Sequence, residues 1–69
     1  MKKQEILENT VFPILRKMNN EITDIWYQKE GNREYAMIEY QNSVITRMSI
    51  TNEESMGDIL AKLAAEVSQ

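Results

Sequence analysis

The sequence predicts a single α+β domain of order helix, strand, strand, strand, helix, with a three-stranded antiparallel meander and two helices packed on one face. Residues 22–50 form three short, largely alternating runs separated by turn-type residues, a pattern typical of antiparallel strands. The flanking segments repeat apolar residues every three or four positions, as amphipathic helices do. The predicted elements are a helix over residues 2–18, strands over 21–29, 33–41 and 44–50, and a helix over 52–67.

Composition narrows the possible functions. A chain of 69 residues is one domain, of a size whose core supplies only ~3–5 kcal/mol of net stability, so a partner subunit is a common source of support. The absence of cysteine and histidine excludes disulfides, thiolate or imidazole metal ligands and a histidine base. The net charge of −3 disfavours non-specific attraction to nucleic acid or anionic membranes. No apolar run approaches the ~20 residues of a membrane span, and acidic residues interrupt any signal-peptide core. We therefore expect a cytoplasmic, non-enzymatic protein that needs no cofactor or metal.

The first predicted helix contains a proline. Pro13 lacks a backbone N–H, and its ring would collide with the carbonyl of Asn9 in a regular α-helix. We therefore expect a kink near Thr10 or a restart with Pro13 in the first turn. The expected buried stripe is Leu7, Val11, Ile14 and Met18, with Ile6 and Leu15 flanking it.

The start of the last helix is predicted from capping residues. Thr51 can accept a hydrogen bond from a backbone N–H, and Glu54 stands three residues later, as a capping box requires. Asp58 and Lys62 have the spacing of an ion pair on a helix. Gly57 suggests close backbone contact with a neighbouring element. The expected buried stripe is Met56, Ile59, Leu60, Leu63 and Val67.

Turn lengths set the strand register. A two-residue turn at Gly31–Asn32 places Trp26 opposite Met37. A three-residue loop over 41–43 places Met37 opposite Arg47. A two-residue turn at Asn42–Ser43 would instead invert the third strand.

This register gives the sheet two unlike faces. The predicted core face carries no charge and contains Thr23, Ile25, Tyr27, Ala36, Ile38, Tyr40, Val44, Thr46, Met48 and Ile50. The opposite face mixes charge with aromatic and apolar side chains, which is typical of protein interfaces. We expect a protein partner there, most simply a second copy of the chain. The alternative is that Trp26 packs under a helix or loop whose position is predicted incorrectly, or that the predicted register is off by one residue. The predicted interface residues are Trp26, Tyr35, Met37, Ile45 and Arg47.

The edges of the sheet are a second candidate surface. The third strand carries one charge, Arg47, and no proline, so it is the less protected edge and could add a strand from a partner. A short, twisted edge in a monomer is the alternative. Asp24 lies opposite Glu39 in the predicted register, and the two carboxylates could bind a cation or share a proton. Because only two ligands converge there, we assign no metal or catalytic role.

The order of elements and the chain length resemble those of a double-stranded-RNA-binding domain, in topology only. That family carries a lysine cluster at the start of its last helix, where this chain reads Glu53-Glu54-Ser55-Met56-Gly57-Asp58. These carboxylates would repel phosphate, so we expect no direct nucleic-acid binding. The acidic surface suggests an alternative function, a small phage-type inhibitor that binds a nucleic-acid-processing protein by charge mimicry. The residues of that surface would be Glu30, Glu34, Glu53, Glu54 and Asp58.

Overall fold

A computed structural model describes residues 3–51 and 53–68 of the chain and confirms the α+β architecture. The predicted helix starts at Lys2 and Asn52 lie outside the described residues. The sheet has the order β1-β2-β3, and both strand pairs are antiparallel. An N-terminal helix over residues 3–18 precedes the strands β1 (Ile22–Glu30), β2 (Arg33–Tyr40) and β3 (Ile45–Ile50), and a C-terminal helix (Met56–Val67) follows them.

The N-terminal helix continues through Pro13 because a wider turn precedes it. The backbone N–H of Phe12 donates to the carbonyl of Leu7, five residues back, as in a π-helical turn. Pro13 then lies in the first turn of the following α-helical segment, where a missing N–H breaks no hydrogen bond. The helix therefore restarts without breaking. Its three segments are Lys3–Ile6, the π-helical Leu7–Val11, and Phe12–Met18.

The π-helical turn changes which residues face the core. One extra residue rotates all later positions by about 100° around the helix axis. Leu15 therefore takes the inward place and is fully buried, together with Leu7 and Val11. The prediction that Ile14 and Met18 are buried was wrong, since their exposed fractions are 43% and 50%.

The predicted strand register is confirmed across both hairpins. Trp26 lies opposite Met37, and Met37 lies opposite Arg47. Gly31 has a φ of 60°, which suits the first position of a two-residue hairpin turn. Ser43 has a φ of 69° and completes a three-residue loop, which the Ser43 N–H closes by donating to the Tyr40 carbonyl.

A β-bulge at the start of β1 changes one part of the predicted core face. Ile22 pairs with Tyr40 and Asp24 with Glu39, so Thr23 has no residue opposite it. The extra residue brings Ile22 to the same face as Ile25, and both are fully buried. The prediction that Thr23 lies in the core was wrong because the bulge leaves it exposed.

Both helices pack on one face of the sheet, and the side chains between them form one continuous hydrophobic core. Its fully buried residues include Leu7, Leu15, Ile22, Ile25, Ala36, Ile38, Ile59 and Leu63. Val44 was predicted to join this face, but its exposed fraction is 50%.

The C-terminal helix begins later than predicted. Its cap is Ser55, whose side chain accepts from the Asp58 N–H while the Asp58 carboxylate accepts from the Ser55 N–H. The capping box at Thr51 was therefore wrong, although the Glu54 carboxylate does accept from the Thr51 N–H at 2.9 Å. A Cβ on Gly57 would meet only the Ser55 Oγ, at 3.7 Å, so the expected close contact with another element is absent among the described residues.

Candidate protein-interaction face

The side of the sheet away from the helices, called here the open face, consists of three rows of three side chains. Each row contains one residue from each strand, because the two hairpins are in register. All five predicted interface residues lie on it, and the middle row contains three of them. The rows are Asp24-Glu39-Ile45, Trp26-Met37-Arg47 and Gln28-Tyr35-Ser49.

The centre of the open face is covered by its own neighbours. Tyr35 and Met37 have exposed fractions of only 7% and 9%, although neither belongs to the core under the helices. The guanidinium carbon of Arg47 lies 4.5 Å from the centre of the Tyr35 ring, a cation–π distance. Trp26 and Arg47 flank Met37 from the two outer strands. The face therefore has a small apolar centre of its own.

The more exposed apolar surface lies beside β3. Ile45 and Val44 both have exposed fractions of 50%, and they point to opposite faces at the start of this strand. The only other described large apolar side chains in this class are Ile14 and Met18, on the helix. Ile45 was among the predicted interface residues, whereas Val44 was predicted to lie on the core face. Its position directly after a turn, at the end of the sheet, was the available signal.

The hydrogen-bonding direction of β3 follows from its pairing. The Tyr40 N–H donates to the Val44 carbonyl at 2.9 Å, so even-numbered residues of β3 direct their backbone groups toward β2. The N–H and C=O groups of Ile45, Arg47 and Ser49 therefore point outward along the edge. The Lys62 Nζ donates to the outward carbonyl of Ser49 at 2.8 Å. One end of this edge is thus covered. From Ile45 to Arg47 the edge is open, since no other described residue bonds to its outward backbone groups.

The other edge, along β1, has one outward backbone group bonded to a side chain of its own strand. By the same alternation, the Ile25 N–H points outward, and the Asp24 carboxylate accepts from it at 2.9 Å. Asp24 does lie opposite Glu39, as predicted, but the Glu39 carboxylate accepts from the Thr23 hydroxyl at 3.3 Å. Each carboxylate therefore has a separate local partner. Among residues 3–51 and 53–68, no group of three acidic side chains is placed to hold a metal ion.

The acidic residues of the alternative hypothesis are engaged within the fold. The Glu34 carboxylate accepts from the Tyr27 hydroxyl at 2.7 Å and from the Lys3 Nζ at 3.0 Å. The Tyr27 hydrogen bond, followed by Lys3, lowers the pKa of Glu34, and the same bond raises the pKa of Tyr27. Lys62 pairs with Glu54 at 3.1 Å and lowers the pKa of that carboxyl.

The remaining members of the acidic set have mixed surroundings. Asp58 is part of the helix cap. Glu30 lies 3.7 Å from Arg47 and accepts from Gln28 at 2.9 Å. Glu53 is exposed. Four of the five carboxylates thus have structural partners inside this chain.

Comparison with known proteins gives no functional guide, since no family model, curated protein or solved structure matches the chain. No helix in the described part of the chain is long and apolar enough to cross a membrane.

Proposed function

We propose that this protein is a non-enzymatic interaction module that self-associates, with its contact surface on the β3 side of the open face. The single observation that carries the proposal is the half-exposed Ile45, at the junction of the open face and an open strand edge. Exposed apolar side chains beside unpaired backbone groups favour pairing with another chain.

The surroundings of Ile45 support the same function. Arg47 is partly exposed and lies on Tyr35, and arginine and tyrosine are among the residues enriched at interfaces. Trp26 and Met37 continue this surface across the sheet. A second copy would add buried apolar area to a domain whose own core is small.

Charge mimicry has weaker support. A mimic of phosphate would present free carboxylates to a basic partner, whereas Glu34 and Glu54 bind Lys3 and Lys62 of the same chain. Binding such a partner would require these pairs to open or to be shared.

Sedimentation equilibrium over a series of concentrations tests the proposed function. We expect a concentration-dependent dimer, and we expect Ile45→Lys to shift it toward monomer by placing a charge in the contact. Met18→Lys is the matched control, because Met18 has the same exposed fraction of 50% but lies on the N-terminal helix. It should leave the association unchanged.

Quenching of Trp26 fluorescence by acrylamide gives a second readout. Trp26 is the only tryptophan, so its emission reports on the open face alone. A chain that stays monomeric at high micromolar concentration, with Trp26 quenching independent of concentration, would contradict the proposal.

A further inference from the structure

We propose that two copies of this chain pair through β3 in antiparallel orientation, with Thr46 of each copy on the two-fold axis, to form a continuous six-stranded sheet. This inference deepens the proposed function and rests on it, since it specifies the partner and the register. It follows from the backbone directions of β3, the covered end of its edge, and its side-chain sequence.

In this register the outward backbone N–H and C=O groups of the two copies can bond to each other. Ile45 and Arg47 carry the outward N–H and C=O groups, whereas those of Thr46 bond to β2. With Thr46 on the axis, Ile45 of each copy lies opposite Arg47 of the other. Both of these pairs can exchange two backbone hydrogen bonds, and the pairing uses the whole open stretch of the edge.

Neighbouring registers are weaker for separate reasons. An axis at Arg47 would place two guanidinium groups directly opposite each other. It would also require the Ser49 carbonyl, which already accepts from Lys62. An axis at Met48 would require the same carbonyl. An axis at Ile45 would bring Ser43 opposite Arg47, and the φ of 69° at Ser43 ends the extended strand there.

Side chains also match in the Thr46 register. The half-exposed Val44 would lie opposite Met48 of the second copy, and the half-exposed Ile45 would lie against the aliphatic stem of its Arg47. Thr46 would pair with itself, a favourable cross-strand pair. In the same row, Arg47 of the second copy would follow Ile45 and Glu39, so the apolar Ile45 would separate the two charged side chains.

Cysteine cross-linking tests this register directly, because the natural chain has no cysteine. In non-hydrogen-bonded antiparallel pairs, Cα atoms lie about 4.5 Å apart, within the disulfide range of about 4.4–6.8 Å. We expect Thr46→Cys to form a disulfide-linked dimer under mild oxidation. Val44→Cys and Met48→Cys should each fail to link to themselves but should link to each other when mixed. Ser49→Cys, at the covered end, is the negative control.

The outcomes separate the register from the proposed function. Linkage at Thr46 together with the Val44–Met48 heterodimer supports the proposal. A wild-type dimer in sedimentation without linkage at Thr46 overturns the register and leaves self-association standing. A monomeric wild-type chain with no linkage overturns both. As a further measure, Ile45→Lys should raise the dissociation constant of the dimer by roughly tenfold or more, because the two-fold axis repeats the repulsion with Arg47.

Discussion

The two edge strands of this sheet differ in how their outward backbone groups are treated. β1 begins with a bulge, and the Asp24 carboxylate accepts from its outward Ile25 N–H. Among the described residues, the comparable contact on β3 lies at one end, where Lys62 binds the Ser49 carbonyl. Local contacts of this kind occupy single groups of a strand edge, and the groups beyond them are available to another chain.

The same strands also differ in their anchorage. β1 places Ile22 and Ile25 fully in the core, whereas the buried apolar residue of β3 is Ile50, at the end nearest the C-terminal helix. The start of β3 keeps Ile45 half exposed. We therefore expect β1 to be fixed by the fold and the start of β3 to be fixed mainly by its hairpin and by a partner.

The largest expected difference in stability is between the same substitution, isoleucine to alanine, made on each of the two edge strands. Ile25→Ala should lower the free energy of unfolding by about 3 kcal/mol, because it leaves a cavity in the core. Ile45→Ala should change it by less than about 0.5 kcal/mol in the monomer. Urea unfolding at low protein concentration measures both. If Ile25→Ala leaves too little folded protein, Ile25→Val should still cost about 1 kcal/mol. Equal losses of unfolding free energy in the two alanine variants would show that β1 and the start of β3 are held equally firmly by the core.

The turns that join each edge to β2 allow a second comparison. Gly31→Ala should destabilise the fold by about 1–2 kcal/mol, since an L-residue disfavours its positive φ. Ser43→Gly should stabilise it by about 0.5–1 kcal/mol, because glycine adopts the φ of 69° without strain. Thermal melts of both variants check the opposite signs. A loss of stability in Ser43→Gly would mean that its side chain has a role beyond the turn.

A smaller effect is expected from opening the β1 edge. Asp24→Ala removes the acceptor of the Ile25 N–H and should cost about 0.5–1.5 kcal/mol. The Ile25 amide should also exchange its hydrogen faster, which NMR measures directly. Glu39→Ala is the matched control, because it removes the opposite carboxylate and leaves the Ile25 N–H bonded. Equal exchange rates in the two variants would show that Asp24 does not protect this edge.

The smallest expected effect on stability comes from the hydrogen bond between Tyr27 of β1 and Glu34 of β2. The pKa of Glu34 lies below the usual 4.5, first because of the Tyr27 hydroxyl and then because of Lys3. The fold favours the carboxylate, so this stabilisation is present above the unfolded pKa and is lost as pH falls through the lower folded pKa. Thermal melts from neutral pH to strong acid should show a steeper fall in Tm for the natural chain than for Glu34→Gln. Parallel curves would argue against this contribution.

Much of the fold could be predicted because turn chemistry and strand alternation agree. Gly31–Asn32 and the loop ending at Ser43 set both registers, and these placed all five candidate residues on one face. Two of the errors in the buried faces came where one extra residue enters a regular element. The π-helical turn moved Leu15 inward in place of Ile14, and the bulge moved Ile22 inward in place of Thr23. Both shifts depend on tertiary packing, which a periodic pattern does not contain.

The sequence predicted which residues lie on the open face but not how exposed their side chains are. Tyr35 and Met37 are on the middle strand, so side chains from both outer strands cover them. Whether Arg47 extends into solvent or lies on Tyr35 depends on its rotamer, which the sequence does not specify. The same holds for Lys62, predicted beside Asp58 but bound to Glu54 and Ser49.

The bulge at Thr23 also bears on how this strand can change in length. Replacing Thr23 alters an exposed side chain, and deleting it would restore regular alternation with Ile22 still opposite Tyr40 on the core face. Loss of this one codon should therefore be less damaging than loss of a paired β1 residue such as Trp26, which would invert the faces of its neighbours. The position tolerates variation in both identity and number, and natural variants of this protein should include chains with one residue fewer between Ile22 and Ile25.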